Sequence, residues 1–139
     1  MGKPLPELTL GTWYGAEQHP NRMAGSIIVI CVFAAWCKHC IRDIPENNDL
    51  VEAYRHLGVT FVGVCNETDA DELPDNLKFR PANYSIAVDV GEKSLQALKV
   101  RNFPEYYLVD RQQIVRAAGV TLQDVEGHLE MVLAEEGQD

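Results

Sequence analysis

From Ile27 to Phe33 every residue is apolar. A strand with no polar alternation must be covered on both faces, so the chain builds a sheet sandwiched between other elements rather than one with a wet side. A helical pattern follows from Cys37 through Leu57, with Ile41, Ile44, Val51 and Tyr54 near one face and Leu50, Ala53 and Leu57 widening it. Pro45 lies inside this stretch and predicts a kink one turn beyond Cys40. The helix is expected to end near Gly58.

Between strand and helix stands Trp36-Cys37-Lys38-His39-Cys40. Two thiols three positions apart at the start of a helix can close a disulfide and reopen it. Unpaired N–H groups and the helix dipole favour negative charge there, so Cys37 is expected to hold its thiolate more readily than a free cysteine. Lys38 and a protonated His39 would tune its pKa in the same direction. Cys37 is therefore the candidate nucleophile and Cys40 the resolving thiol.

The remaining elements fit around this unit. Leu5 to Trp13 reads as an edge strand or hairpin lying over the core, and Val59 to Cys65 as a second buried strand. Asn66 to Asn83, with Pro74 and Pro81, reads as a loop holding one short helix, and Ile86 to Val90 as a short strand. Gly91 to Val100 is helical, with Leu95, Leu98 and the Lys99 stem packing inward, until Asn102-Phe103-Pro104 breaks it. Tyr106 to Val109 and Ile114 to Ala118 form a hairpin across Asp110 to Gln113, a turn without the usual glycine. Thr121 and Asp124 start a last helix bearing Leu122, Val125, Leu129 and Val132. Strands alternating with helices predict a three-layer α/β domain over 1–139, its mixed central sheet parallel apart from the closing hairpin.

Composition narrows the partners. A formal net charge of -9 repels nucleic acid and anionic membrane surfaces, and no apolar stretch approaches the ~20 residues of a membrane span. Four cysteines are too few for a disulfide-built scaffold when 46% of residues are hydrophobic.

The order of elements, with the dithiol after a central strand and a proline before the hairpin, resembles the thioredoxin superfamily. Pro6-Glu7-Leu8-Thr9-Leu10, the stretch from Gly58 to Asn83, and Val100 to Pro104 followed by Leu108-Val109-Asp110 resemble its TlpA/ResA branch. That resemblance implies extracytoplasmic reductants or cytochrome c maturation factors acting without a cofactor on protein disulfides or dithiols, together with a redox donor or acceptor protein. It implies a monomer outside the cytoplasm, with any export signal or anchor absent from this chain; a cytoplasmic location is the alternative. It also implies Cys37 and Cys40 as the redox pair, Trp36 as the flanking indole, and Pro104 as a cis-proline facing the disulfide. Phe103 then takes the position whose backbone pairs with an extended substrate.

Departures from the pattern are informative. Many thioredoxins carry a buried aspartate six residues before the first active cysteine; this chain has Cys31. In the resembled branch an acidic residue three positions after the second cysteine takes the resolving thiol's proton, which implies that role for Asp43. Glu105 is similar to its counterpart in cytochrome c maturation thioredoxins, whereas Tyr106-Tyr107 departs from the small Thr-Phe pattern. His39 beside Cys40 resembles oxidising members such as DsbA, so both directions of electron flow stay open: a cation stabilises the reduced thiolate and raises the potential.

Competing readings attach to the same residues. Cys37, Cys40 and His39 could ligate copper or zinc, making the chain a metallochaperone, although no second Cys-x-x-Cys accompanies them. A peroxidase would need a Thr or Ser and a Pro at set spacing, which Phe33-Ala34-Ala35-Trp36 does not supply. Cys31 and Cys65 read as small buried hydrophobes, His19, His56 and His128 as surface residues, and Asp69-Ala70-Asp71-Glu72 as a solvated loop or helix start rather than a calcium loop. The leading expectation is a thiol-disulfide oxidoreductase.

Overall fold

In the computed structural model, which describes residues 2–136, the apolar run forms strand β2 (Ile27–Phe33), all seven of its residues buried. Around it lie β1 (Leu10–Tyr14), β3 (Val59–Cys65), β4 (Ser85–Asp89), β5 (Glu105–Val109) and β6 (Val115–Val120), in the spatial order β1-β4-β3-β2-β5-β6. The β2–β3 and β3–β4 pairs are parallel; β1–β4, β2–β5 and β5–β6 are antiparallel.

Alternation along β2 divides the core. Ile27, Val29, Cys31 and Phe33 point into one layer with Leu50, Tyr54, Val125, Leu129 and Val132. Ile28, Ile30 and Val32 point into the other, with Leu5, Leu8, Tyr107 and Val109 and the partly buried Leu95 and Leu98. Helices α2 (Ile44–Tyr54) and α5 (Leu122–Glu136) therefore cover one face, while α4 (Lys93–Leu98) and the N-terminal segment cover the other. Each such aliphatic side chain contributes about 1.5–3 kcal/mol by leaving water, so the dithiol is mounted on the most buried strand of the molecule.

Several expectations are sharpened. The single kinked helix is two helices, α1 (Lys38–Arg42) and α2, meeting at Asp43, which caps the C-terminus of one and the N-terminus of the other. Pro45 sits in the first turn of α2, where its missing N–H has no partner to lose. The chain then turns at Gly58, whose φ of 79° suits a residue without Cβ. Strand β1 begins five residues later than expected: Pro4 bridges Ile114 beside β6, and Leu5 and Leu8 are buried as the segment crosses the sheet toward β4.

In the glycine-free turn, Gln113 takes the positive φ of 66°, and the Asp110 carboxylate accepts from the N–H groups of Gln112 at 2.9 Å and Ile114 at 3.0 Å. Lys99 does not pack inward. It ends α4 in the left-handed region at φ 59° and is exposed. Thr121 caps α5, its hydroxyl accepting from Asp124 N–H at 3.1 Å. The loop from Asn66 to Asn83 holds α3 (Leu73–Phe79), with Ala70–Glu72 as the 3-10 turn leading into it.

His19 is not a free surface residue. Its Nδ1 accepts from Asn21 N–H at 3.2 Å and its Nε2 donates to Leu8 C=O at 3.0 Å, tying the N-terminal segment down. Among the described residues no helix is long and apolar enough to cross a membrane.

Candidate active site

Strand β2 hands the chain to Ala34-Ala35-Trp36, and the dithiol follows at once. Two bonds hold this loop: Cys37 N–H donates to Ala34 C=O at 3.1 Å, and the Asn76 side chain on α3 donates to Ala35 C=O at 3.0 Å. Cys65, opposite Phe33 in β3, lies with its sulfur near the Ala35 amide, and burial pushes its thiol up to about 12.

Cys37 is half-buried and is the N-cap of α1. Its Sγ accepts from Cys40 N–H at 3.2 Å, so negative charge on this sulfur would meet a backbone donor. Cys40, only 3% exposed, lies beneath it. Burial chiefly, and then the hydrogen bond to the Cys37 sulfur, raise the Cys40 pKa far above a free thiol's. The two sulfurs thus hold different environments: one reachable, the other buried and protonated until something takes its proton. All four cysteines are unpaired thiols here.

Asp43 is half-buried at the α1–α2 junction, and its carboxylate makes no capping bond. It lines a cleft of about 610 Å³ with His39, Arg42, Phe103, Pro104 and Tyr106. The Phe103–Pro104 peptide is cis. Phe103 meets Trp36 edge to face with centroids 5.8 Å apart, and Trp36 is 49% exposed. The structure therefore gathers Trp36, Cys37, Cys40, Phe103, Pro104 and Asp43 at one end of β2 and β5.

Lys38 and His39 are exposed between the cysteines. Arg42 donates to His39 Nδ1, and a guanidinium only donates. Among the described residues no group of three His, Cys, Asp or Glu side chains is arranged to hold a metal ion, His39 included.

The resemblance implied Cys31 beneath Cys40, but sequence reading missed the polar cluster that surrounds it. Cys31 lies under the dithiol, where burial pushes its thiol up to about 12, and the Tyr106 hydroxyl is a hydrogen-bonding neighbour. Tyr106 donates to Asn47 Oδ1 at 2.7 Å, and Asn47 Nδ2 donates to the Tyr84 hydroxyl at 3.2 Å. The available signal was Asn47 itself, an amide in the apolar stripe Ile44, Leu50, Tyr54.

Glu105, noted in the sequence only for a family likeness, is buried directly after Pro104. Its Oε1 accepts from Arg101 N–H at 3.3 Å and Asn102 N–H at 3.0 Å, and its Oε2 accepts from the Tyr107 hydroxyl at 2.7 Å. The Tyr-Tyr departure thus supplies two hydroxyls, one for each face of the sheet.

Residues 1–118 match the AhpC/TSA family. Over 136 residues the chain is 25% identical to thiol-disulfide oxidoreductase ResA of Geobacillus kaustophilus, covering 95% of this chain and 78% of the relative. A putative thiol:disulfide interchange protein DsbE from Chlorobium tepidum superposes with a TM-score of 0.83 at 22% identity, over 95% of this chain and 96% of that one. A thioredoxin-like protein solved in its oxidised form superposes with a TM-score of 0.80 at 24% identity, over 96% of both chains. The fold is thioredoxin-like, as the order of elements implied.

Proposed function

The chain belongs to the AhpC/TSA family, and we propose that within it this protein is a thiol-disulfide oxidoreductase acting on protein disulfides or dithiols. The observation that carries the reading is the asymmetry of the dithiol. Cys37 is half-buried with its sulfur on the Cys40 N–H at 3.2 Å, while Cys40 is buried below it with a raised pKa. The similarity to ResA over 95% of the chain supports the same reaction.

In the reducing direction the Cys37 thiolate attacks one sulfur of a substrate disulfide, forming a mixed disulfide and releasing the other substrate sulfur as thiolate. The Cys40 thiol then gives its proton to the Asp43 carboxylate and attacks the Cys37 sulfur. The intramolecular disulfide closes and the second substrate thiolate leaves, so two electrons pass from protein to substrate. Run backwards, the same steps oxidise a dithiol. Trp36 and Phe103 offer the apolar surface against which the substrate segment lies. Lys38 lowers the cost of thiolate charge at Cys37.

Cell-envelope redox chemistry, including cytochrome c maturation, is the setting that the TlpA/ResA resemblance supports, with the protein working as a monomer outside the cytoplasm. The direct test is turnover of an insulin disulfide by the wild type, Cys37→Ser and Asp43→Asn. Cys37→Ser is expected to lose turnover entirely and Asp43→Asn to slow the resolving step across pH 6 to 9. Full activity without the Cys37 sulfur would remove the proposal.

A further inference from the structure

We propose that Asn47 is a positioning residue for the resolving step, fixing the turn of α2 that carries Asp43 against the floor of the dithiol; this rests on the reading of Asp43 as proton acceptor. Asn47 is 2% exposed, in a helix stripe where an aliphatic residue would bury without needing partners. Its amide is satisfied only through directional bonds. Oδ1 accepts from the Tyr106 hydroxyl at 2.7 Å, and Nδ2 donates to the Tyr84 hydroxyl at 3.2 Å while facing Cys31 Sγ at 4.0 Å.

Two of these three neighbours lie on the strands that build the site. Tyr106 lies on β5 two residues after Pro104 and is paired in register with Cys31 of β2, the strand that delivers the dithiol. Tyr84 stands immediately before β4. One amide therefore ties α2 to β5, the strand that follows the cis-proline, and to the residue that leads into β4, while it faces Cys31 of β2. Asn47 N–H also donates to Asp43 C=O at 3.0 Å, so it closes the first turn beyond the junction. Because the Asp43 carboxylate makes no capping bond, its position follows that of the α2 backbone, which Asn47 anchors.

The anchoring groups hold their own protons. Burial chiefly keeps the Cys31 thiol and the Tyr84 and Tyr106 hydroxyls protonated, and the Asp43 charge acts in the same direction on all three. The cluster places Asp43 without competing for the proton of Cys40.

The test separates the two chemical steps. Mixed-disulfide formation is followed in a Cys40→Ser background, and resolution in the intact dithiol from pH 6 to 9, for Asn47→Leu, Asp43→Asn and the double variant. Asn47→Leu is expected to leave the first step within about twofold, slow resolution about 5- to 10-fold, and move its pH midpoint upward. The double variant should be no slower than Asp43→Asn alone, because both act on one group.

Equal slowing of both steps by Asn47→Leu, or losses that multiply in the double variant, would overturn the positioning role. An unchanged resolution rate in Asp43→Asn would instead defeat the proton-acceptor reading on its own. Should Asn47→Leu not fold, Tyr106→Phe removes the 2.7 Å bond while keeping the ring, and the same expectations apply to it.

Discussion

Trp36 and Phe103 meet edge to face with their centroids 5.8 Å apart, joining the residue before the nucleophile to the residue before Pro104. Edge-to-face pairs contribute about 0.5–1.5 kcal/mol beyond the area they bury. On the proposed function, a protein substrate covers this apolar wall and a small disulfide does not. Phe103→Ala and Trp36→Ala are each expected to lower kcat/KM for a protein disulfide about 5- to 10-fold, and for glutathione disulfide less than about twofold. Equal losses on both substrates would assign the pair to structure alone.

Glu105 is a buried carboxylate whose three hydrogen-bond donors are Arg101 N–H, Asn102 N–H and the Tyr107 hydroxyl. It ties the loop that ends in Pro104 to the strand that follows it. Hydrogen bonds to a charged group contribute more than neutral ones, and truncation leaves the Tyr107 hydroxyl buried without an acceptor. Glu105→Ala is expected to cost about 2–3 kcal/mol, seen as a lower urea midpoint at unchanged slope. A loss below about 0.5 kcal/mol would mean that the loop is held by its backbone.

These two sites show what the sequence made legible. The apolar run of β2, the Cys37–Cys40 spacing and the Phe103–Pro104 break are local patterns, and each predicted its place in the fold. Asn47, Tyr84 and Tyr106 are far apart in sequence and become one cluster only when β2, β4 and β5 lie side by side under α2. Glu105 was noticed only for its likeness to a family pattern, since nothing local shows that a carboxylate will accept from amides three and four residues upstream. Pro45 signalled a distortion one turn beyond Cys40, and at Asp43 the helix divides in two rather than bending, because proline fits the first turn of a new helix better than the interior of an old one.

Cys31 and Cys65 make the reduced protein sensitive to alkali. Burial holds both folded thiols protonated up to about 12, whereas the ordinary value is 9.0. Between these limits the unfolded chain binds fewer protons than the folded one, so stability present below pH 9 falls as pH rises toward 12. The slope is about 1.4 kcal/mol per pH unit for each thiol. Urea midpoints at pH 8, 9 and 10 under reducing conditions should fall progressively, and Cys65→Ala should flatten that decline. A midpoint constant over this range would contradict the burial of these protons.

Lys38 and His39 both stand exposed between the two cysteines. Arg42 closes the last turn of α1 and contacts His39, whereas Lys38 stands in the first turn directly after Cys37. A cation within a helix turn stabilises a nearby anion by about 0.3–1 kcal/mol when exposed, which corresponds to about 6–20 mV for a two-electron couple. Its removal disfavours the reduced thiolate form and lowers the potential. Lys38→Gln should therefore lower the potential measured against glutathione buffers at pH 7 by about 6–20 mV. A potential unchanged by Lys38→Gln would show that this exposed charge does not act on the dithiol.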